Sequence, residues 1–305
     1  MTSNIDANYS TNTVIGRDQI NVTNYNYQSS EQVESGRSHS SPSSSLSFND
    51  APLDLLSGHF TGREQELAHL ETVLDVAHGD VPTRCVIYGM HGLGKSQLVL
   101  QLAKLTFNRR RYSIVFWISA TTIEKLNQGF VKLLHLVGHP DRFHQEQSAK
   151  LIAARRWLEE ASSIDWLVIF DNVDIAALGF LREHLPRKNW RGNILFTTRT
   201  ENVAQGLAYA AGQQHELFEL RLPNAKDAAK LLLEHFEEQG TDTLSSKAED
   251  VARCVGFLPL AVAHAATFMK QSGKSLDDML ALYQGEHKID VSSDSCRGRF
   301  RFSFI

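Results

Sequence analysis

The chain has 305 residues, an apolar share of 42% and a formal net charge of -4. That length holds one large or two modest domains with a real core, and the charge balance gives no basic field for nonspecific nucleic-acid binding. Cys85, Cys254 and Cys296 lack zinc or redox spacing, the start MTSNIDANYS lacks a secretory pattern, and no stretch has the run of about eighteen apolar residues a membrane span needs; a cytoplasmic protein with no membrane or specific nucleic-acid partner is expected.

Residues 1–50 read as a disordered arm and linker, rich in Asn, Thr, Gln and Tyr up to position 28 and dominated by serine over 29–47. Such a segment buries too little apolar surface to offset its ordering entropy. Within it, 12–27 (NTVIGRDQINVTNYNY) interleaves Val14, Ile20, Val22, Tyr25 and Tyr27 with amides. That mixture is compatible with cross-β stacking, while composition alone favours a polar tail with some sticky residues.

From residue 51 the pattern alternates between strands and helices, which predicts an α/β fold with a parallel sheet covered on both faces. A helix is expected over 63–77, a strand over 84–89, a helix over 95–107, a strand over 113–119 and helices between 122 and 160. A strand over 166–171, a helix over 176–185, a strand over 193–197, a helix around Val203 and a short strand over 216–220 complete a domain of 51–222. Apolar residues at helical spacing over 225–238, 245–255 and 260–270 predict a small helical lid domain, 223–285, and 286–305 is expected to be an irregular tail. Arg109, Arg110 and Arg111 read as a solvated helix end.

The run Gly89-Met90-His91-Gly92-Leu93-Gly94-Lys95-Ser96 satisfies G-x-x-x-x-G-K-[ST] at every fixed position, after a strand and before a helix. Glycines let backbone N–H groups turn inward around a phosphate, Lys95 adds a positive charge, and Ser96 is placed for Mg. The apolar strand ending at Asp171 delivers one carboxylate to the strand edge where ligands of α/β sheets bind, which makes Asp171 a second Mg ligand and a catalytic candidate with Lys95. Arg199, after Thr197-Thr198, is a candidate partner for a terminal phosphate.

With these motifs the chain resembles the NB-ARC branch of the STAND P-loop ATPases, the family of the animal apoptosome protein, plant disease-resistance proteins and fungal NOD-like receptors, and looks most like fungal members. Phe60-Thr61-Gly62-Arg63-Glu64 resembles the family's hhGRE motif, 167–171 its Walker B strand, 197–199 its sensor-arginine motif, and Gly256-Phe257-Leu258-Pro259-Leu260 its GLPL motif. The resemblance implies ADP or ATP as ligand, with Phe60, Gly62, Arg63 and Pro259 around the base and Gly89, His91, Gly92, Leu93, Gly94, Lys95, Ser96, Gln97 and Arg199 around the phosphates. Two departures stand out. Asn172 occupies the place where many members carry a second acid, so hydrolysis is expected to be slow unless Asp174 reaches the site. The family continues into a winged-helix domain and repeats, whereas 291–305 fits neither pattern and reads as an altered terminus.

Three functions follow as expectations. The first is a nucleotide-gated signalling switch in innate-immunity-like or cell-death signalling, with self-association or a protein partner. The second is a nucleotide-binding adaptor or dominant-negative form acting through an amyloid-like N-terminal segment. The third, a P-loop small-molecule kinase, would need a substrate pocket and basic lid that the C-terminal helices do not offer.

Overall fold

The computed structural model describes residues 46–76, 80–210, 213–236 and 242–290. The arm up to residue 45, with its 12–27 segment, and the tail beyond 290 lie outside the described residues. The elements run β1 (Phe48–Asn49), α1 (Glu64–Asp75), β2 (Thr83–Tyr88), α2 (Lys95–Asn108), β3 (Ile114–Ser119), α3 (Ile123–Leu136) and α4 (Gln147–Glu160). They continue through β4 (Trp166–Val173), α5 (Leu178–His184), β5 (Gly192–Thr198), α6 (Glu201–Ala208), the pair β6 (Tyr209–Ala210) and β7 (Gln213–Gln214), and β8 (Glu216–Glu219). Four helices follow: α7 (Ala225–Phe236), α8 (Asp242–Cys254), α9 (Pro259–Ser272) and α10 (Leu276–Asp290).

Six strands form one sheet in the order β1-β3-β4-β5-β2-β8, and every neighbouring pair is parallel. A parallel sheet is buried on both faces, so its strands need apolar side chains in both directions. Alternation then deals the residues to two cores. Phe116, Val168, Phe170, Ile194 and Phe196 pack under α3 to α6 on one face, while Val115, Leu167, Ile169, Leu195 and Ile87 pack under α1 and α2 on the other. A third apolar cluster belongs to the last four helices, with Leu232 of α7, Val251 of α8, Val262 and Met269 of α9, and Met279 of α10.

Two expectations need correction. The arm expected up to residue 50 ends sooner, because Phe48 and Asn49 pair with Ile114 and Val115 and close the sheet's edge. Two residues carry no readable periodicity; an open edge of β3 decides their conformation. The irregular tail expected from 286 begins later, since α10 continues to Asp290. The arginines after α2 are exposed, as expected of a solvated helix end, and Arg109 pairs at the surface with Glu71 and Arg111 with Asp75, both acids on α1.

Packing is tightest where β5 begins. A Cβ on Gly192 would sit 2.0 Å from Cζ2 of Trp166, the largest fully buried side chain. Gly192→Ala must therefore displace the indole, and the expected cost is about 1–3 kcal/mol. Thermal unfolding followed by circular dichroism should show a melting temperature several degrees lower with an unchanged native spectrum; an unchanged melting temperature would mean the indole moves freely.

Candidate functional site

The sheet order inserts β5 between β2 and β4. The loop after β2, the acid of β4 and the end of β5 therefore open side by side at the carboxyl edge of the strands, where α/β sheets bind ligands. A cavity of about 600 Å³ lies there, between that edge, the segment 57–63 and helices α7 and α9.

The phosphate loop is built by left-handed backbone. Gly92 and Gly94 have φ of 82° and 88°, and Gly94 is the N-cap of α2 without a side-chain cap, so the first N–H groups of that helix face the cavity uncapped. Gly89 does not line the cavity but sets the loop's entry: its φ is 148°, and a Cβ there would meet the Leu220 carbonyl oxygen at 2.6 Å. Lys95 Nζ donates to the carbonyls of Gly89 and Met90 at 2.6 and 2.8 Å, which holds the ammonium at the loop. Burial lowers its pKa, Arg199 lowers it further, and Asp171 pulls the other way. Two cations thus share one carboxylate, an imbalance that an anion would relieve. Arg199 is exposed at the cavity wall and, among the described residues, makes no hydrogen bond or ion pair.

Asp171 sits in a chain of hydroxyls. Its Oδ1 accepts from Ser96 Oγ at 2.7 Å and from Thr197 Oγ1 at 2.6 Å. Thr197 Oγ1 in turn accepts the N–H of Asn172 at 2.7 Å. Asn172 has a φ of 61°, and the β4–β5 register shifts between Phe170 and Val173, so the strand kinks directly behind the carboxylate. Hard oxygens from Ser96 and Asp171 converging on one point fit Mg, which takes one or two protein ligands and keeps water and phosphate oxygens for the rest. No group of three or more His, Cys, Asp or Glu side chains suited to a metal occurs among the described residues.

The rest of the cavity lining is less polar: it holds Phe60, Leu231, Pro259 and Ala263, together with His59, His235 and Asp227. Pro259 is the first residue of α9, where its fixed φ and missing N–H cost nothing. The N–H of Leu260 donates to the Gly92 carbonyl at 3.1 Å, and a Cβ on Gly92 would touch Leu258 and Leu260 at 3.2 Å. The start of α9 is thereby fastened to the phosphate loop. Arg63, itself left-handed with φ of 70°, pairs with Glu66 at 2.6 Å and donates to the carbonyls of Leu93 and Arg221. It ties segment 57–63 to the loop and to the end of β8.

Gln97 works as a clamp. Its Oε1 accepts the Ser57 N–H at 2.8 Å and its Nε2 donates to the Leu55 carbonyl at 2.9 Å. Leu93 is 3% exposed, so its side chain is core and only its backbone is offered to the site. Phe60, Gly62, Arg63, His91, Gly92, Gly94, Lys95, Ser96, Gln97, Asp171, Arg199 and Pro259 all line the cavity together with Leu93. Asp174 does not. Its carboxylate caps the 3-10 turn Ile175–Ala177 by accepting the Ile175 N–H at 2.6 Å, which removes it as the reserve acid. Sequence reasoning missed Thr197 as a partner of Asp171; a hydroxyl at the end of the strand inserted between loop and acid was its signal.

The model of the NB-ARC domain matches residues 63–240. The chain belongs to the NB-ARC family. A nucleotide-binding leucine-rich repeat (NLR)-like protein of the fungus Hyaloscypha variabilis is 27% identical over 240 residues, which is 74% of this chain and 24% of that protein; the chain spans only about a quarter of that relative's length. Among solved structures, Cdc6p from Pyrobaculum aerophilum superposes with a TM-score of 0.52 at 15% identity, over 72% of this chain and 65% of that one. A Walker-type ATPase of Pyrococcus abyssi gives 0.50 at 13% identity, over 76% and 73%. At such identity these two speak for the fold: this NB-ARC chain is an α/β P-loop NTPase. Among the described residues no single helix is long and apolar enough to cross a membrane.

Thr197 provides a test of the site's construction in the NB-ARC chain. Thr197→Val leaves an oxygen of Asp171 and the Asn172 N–H without their shared partner, at an expected cost of about 1–3 kcal/mol. Thr197→Ser keeps the hydroxyl and should stay close to the parent in urea denaturation. Equal midpoints for the two variants would show that the hydroxyl chain contributes nothing.

Proposed function

We propose that the chain is a nucleotide-dependent signalling switch that holds ADP or ATP with Mg in this cavity and hydrolyses ATP slowly. The observation that carries the reading is the bond from Leu260 N–H to the Gly92 carbonyl. The loop that would wrap the phosphates is also the loop on which the last helices rest, so filling or emptying it changes what holds those helices down. The NLR-like name of the Hyaloscypha variabilis relative supports signalling of an innate-immunity-like kind, with self-association or a protein partner as the readout. A cytoplasmic setting agrees with Cys85 and Cys254 being free thiols.

In this reading the uncapped N–H groups at the start of α2 and Lys95 bind the phosphates. Ser96 and Asp171 would hold Mg, which would supply positive charge against the phosphates. Arg199 answers the terminal phosphate, and Phe60 and Pro259 receive the base. Asn172 lies at the cavity beside Asp171, and its amide cannot take a proton from an attacking water. The arrangement is therefore built to retain nucleotide more than to turn it over.

Two measurements test the proposal. The purified 305-residue chain, denatured and analysed by chromatography, should release ADP in a one-to-one ratio, and Lys95→Ala should weaken ADP binding about 100-fold; a Lys95→Ala protein that retains a full complement of ADP would place the nucleotide elsewhere. Asn172→Asp should raise ATP hydrolysis about 100-fold, and since aspartate tolerates left-handed backbone as asparagine does, the fold should be unaffected. Unchanged hydrolysis would mean that the carboxylate at this position is not what limits the rate.

A further inference from the structure

The cavity lining carries a pair that the phosphate motifs do not explain. His59, ahead of α1, and His235, in the last turn of α7, have ring centroids 4.6 Å apart with planes tilted by 39°, and both line the cavity. The Nδ1 of His235 lies 2.9 Å from the Leu231 carbonyl oxygen. A carbonyl oxygen only accepts, so Nδ1 carries the proton, and in the neutral ring Nε2 is left with a lone pair. The ring is kept neutral chiefly by burial, which pushes the His235 pKa below the ordinary histidine value; His59 pushes the same way, while the Leu231 carbonyl and Glu234 pull up. Among the described residues Nε2 has no hydrogen-bond partner. The result is an acceptor of fixed tautomer, its ring packed against a tilted neighbour, in the wall of the cavity that Lys95 also lines.

We infer that Nε2 of His235 is the group that selects a 6-amino purine, accepting a proton of the exocyclic amine of adenine. The inference rests on the nucleotide reading above, in which phosphates at the loop and a base against Phe60 and Pro259 bring the purine beside this histidine pair. A guanine would turn its 6-carbonyl oxygen toward the same lone pair, leaving two acceptors facing each other and one of the site's polar groups unpaired. Discrimination of this kind is large where a site is built to pair a hydrogen-bonding group. His59 is a positioning residue: it holds the imidazole against the wall, from the segment whose Arg63 and Gln97 contacts tie it to the phosphate loop.

The test measures affinities of the full chain for ADP, GDP and the diphosphate of unsubstituted purine riboside, which has no group at position 6. The parent should prefer ADP to GDP by about 30-fold or more, and His235→Ala should lose about tenfold in ADP affinity while its affinity for the unsubstituted analogue stays the same. His235→Gln, which restores an acceptor oxygen, should recover part of the preference. Equal losses for ADP and the unsubstituted analogue would assign His235 to packing and overturn the inference, as would an unchanged ADP to GDP ratio. A parent that binds none of the three would instead overturn the nucleotide reading itself.

Discussion

Inserting β5 between β2 and β4 is the constraint on which the site depends. β2 and the strand of Asp171 are then not neighbours in the sheet, and the place between them is taken by what β5 carries at its end. Thr197 fills it with one hydroxyl that serves both Asp171 and the backbone of Asn172. Ser96 completes the link from the helix side. Three elements distant in sequence are thereby held in one hydrogen-bonded chain whose free valences face the cavity. The kink at Asn172 belongs to the same constraint, because Thr197 can receive the Asn172 N–H only where the strand has left its regular register.

The last four helices are joined to this edge from above. They have an apolar core of their own, so their association does not draw on the sheet. What joins the two is a small set of contacts that includes Leu260 on the Gly92 carbonyl, Leu258 against the core behind the phosphate loop, the His59–His235 ring pair, and Asp227 within 3.5 Å of where a Cβ of Gly62 would stand. A narrow junction of polar and apolar contacts around a ligand-sized space is what a two-state element needs, since few contacts must be exchanged for the helices to reseat.

Much of this was legible in the sequence, and the boundary of legibility is physical. Strands buried on both faces show as unbroken apolar runs, as in Leu167 to Phe170, and the phosphate loop shows because glycine, lysine and hydroxyl are each required at a fixed step. Features decided by long-range pairing did not show. Phe48 and Asn49 become a strand only because β3 has an open edge, and Asp174 looks like a reserve acid until its role as a cap is seen. Gln97 reads as a phosphate-loop neighbour, whereas its amide is occupied by Leu55 and Ser57. The histidine pair brings together residues 59 and 235, which no local pattern connects.

The Gln97 clamp has a mechanical consequence. Both ends of its amide are engaged by the backbone of residues 55–57, and a turn and a half further along α2 the Ala103 carbonyl receives the side-chain amide of Asn49 at 3.4 Å. Residues 49–57 are thus lashed along the phosphate-binding helix at two points. A pull on residue 49 or residue 57 would therefore reach α2 first, the helix whose start opens on the cavity.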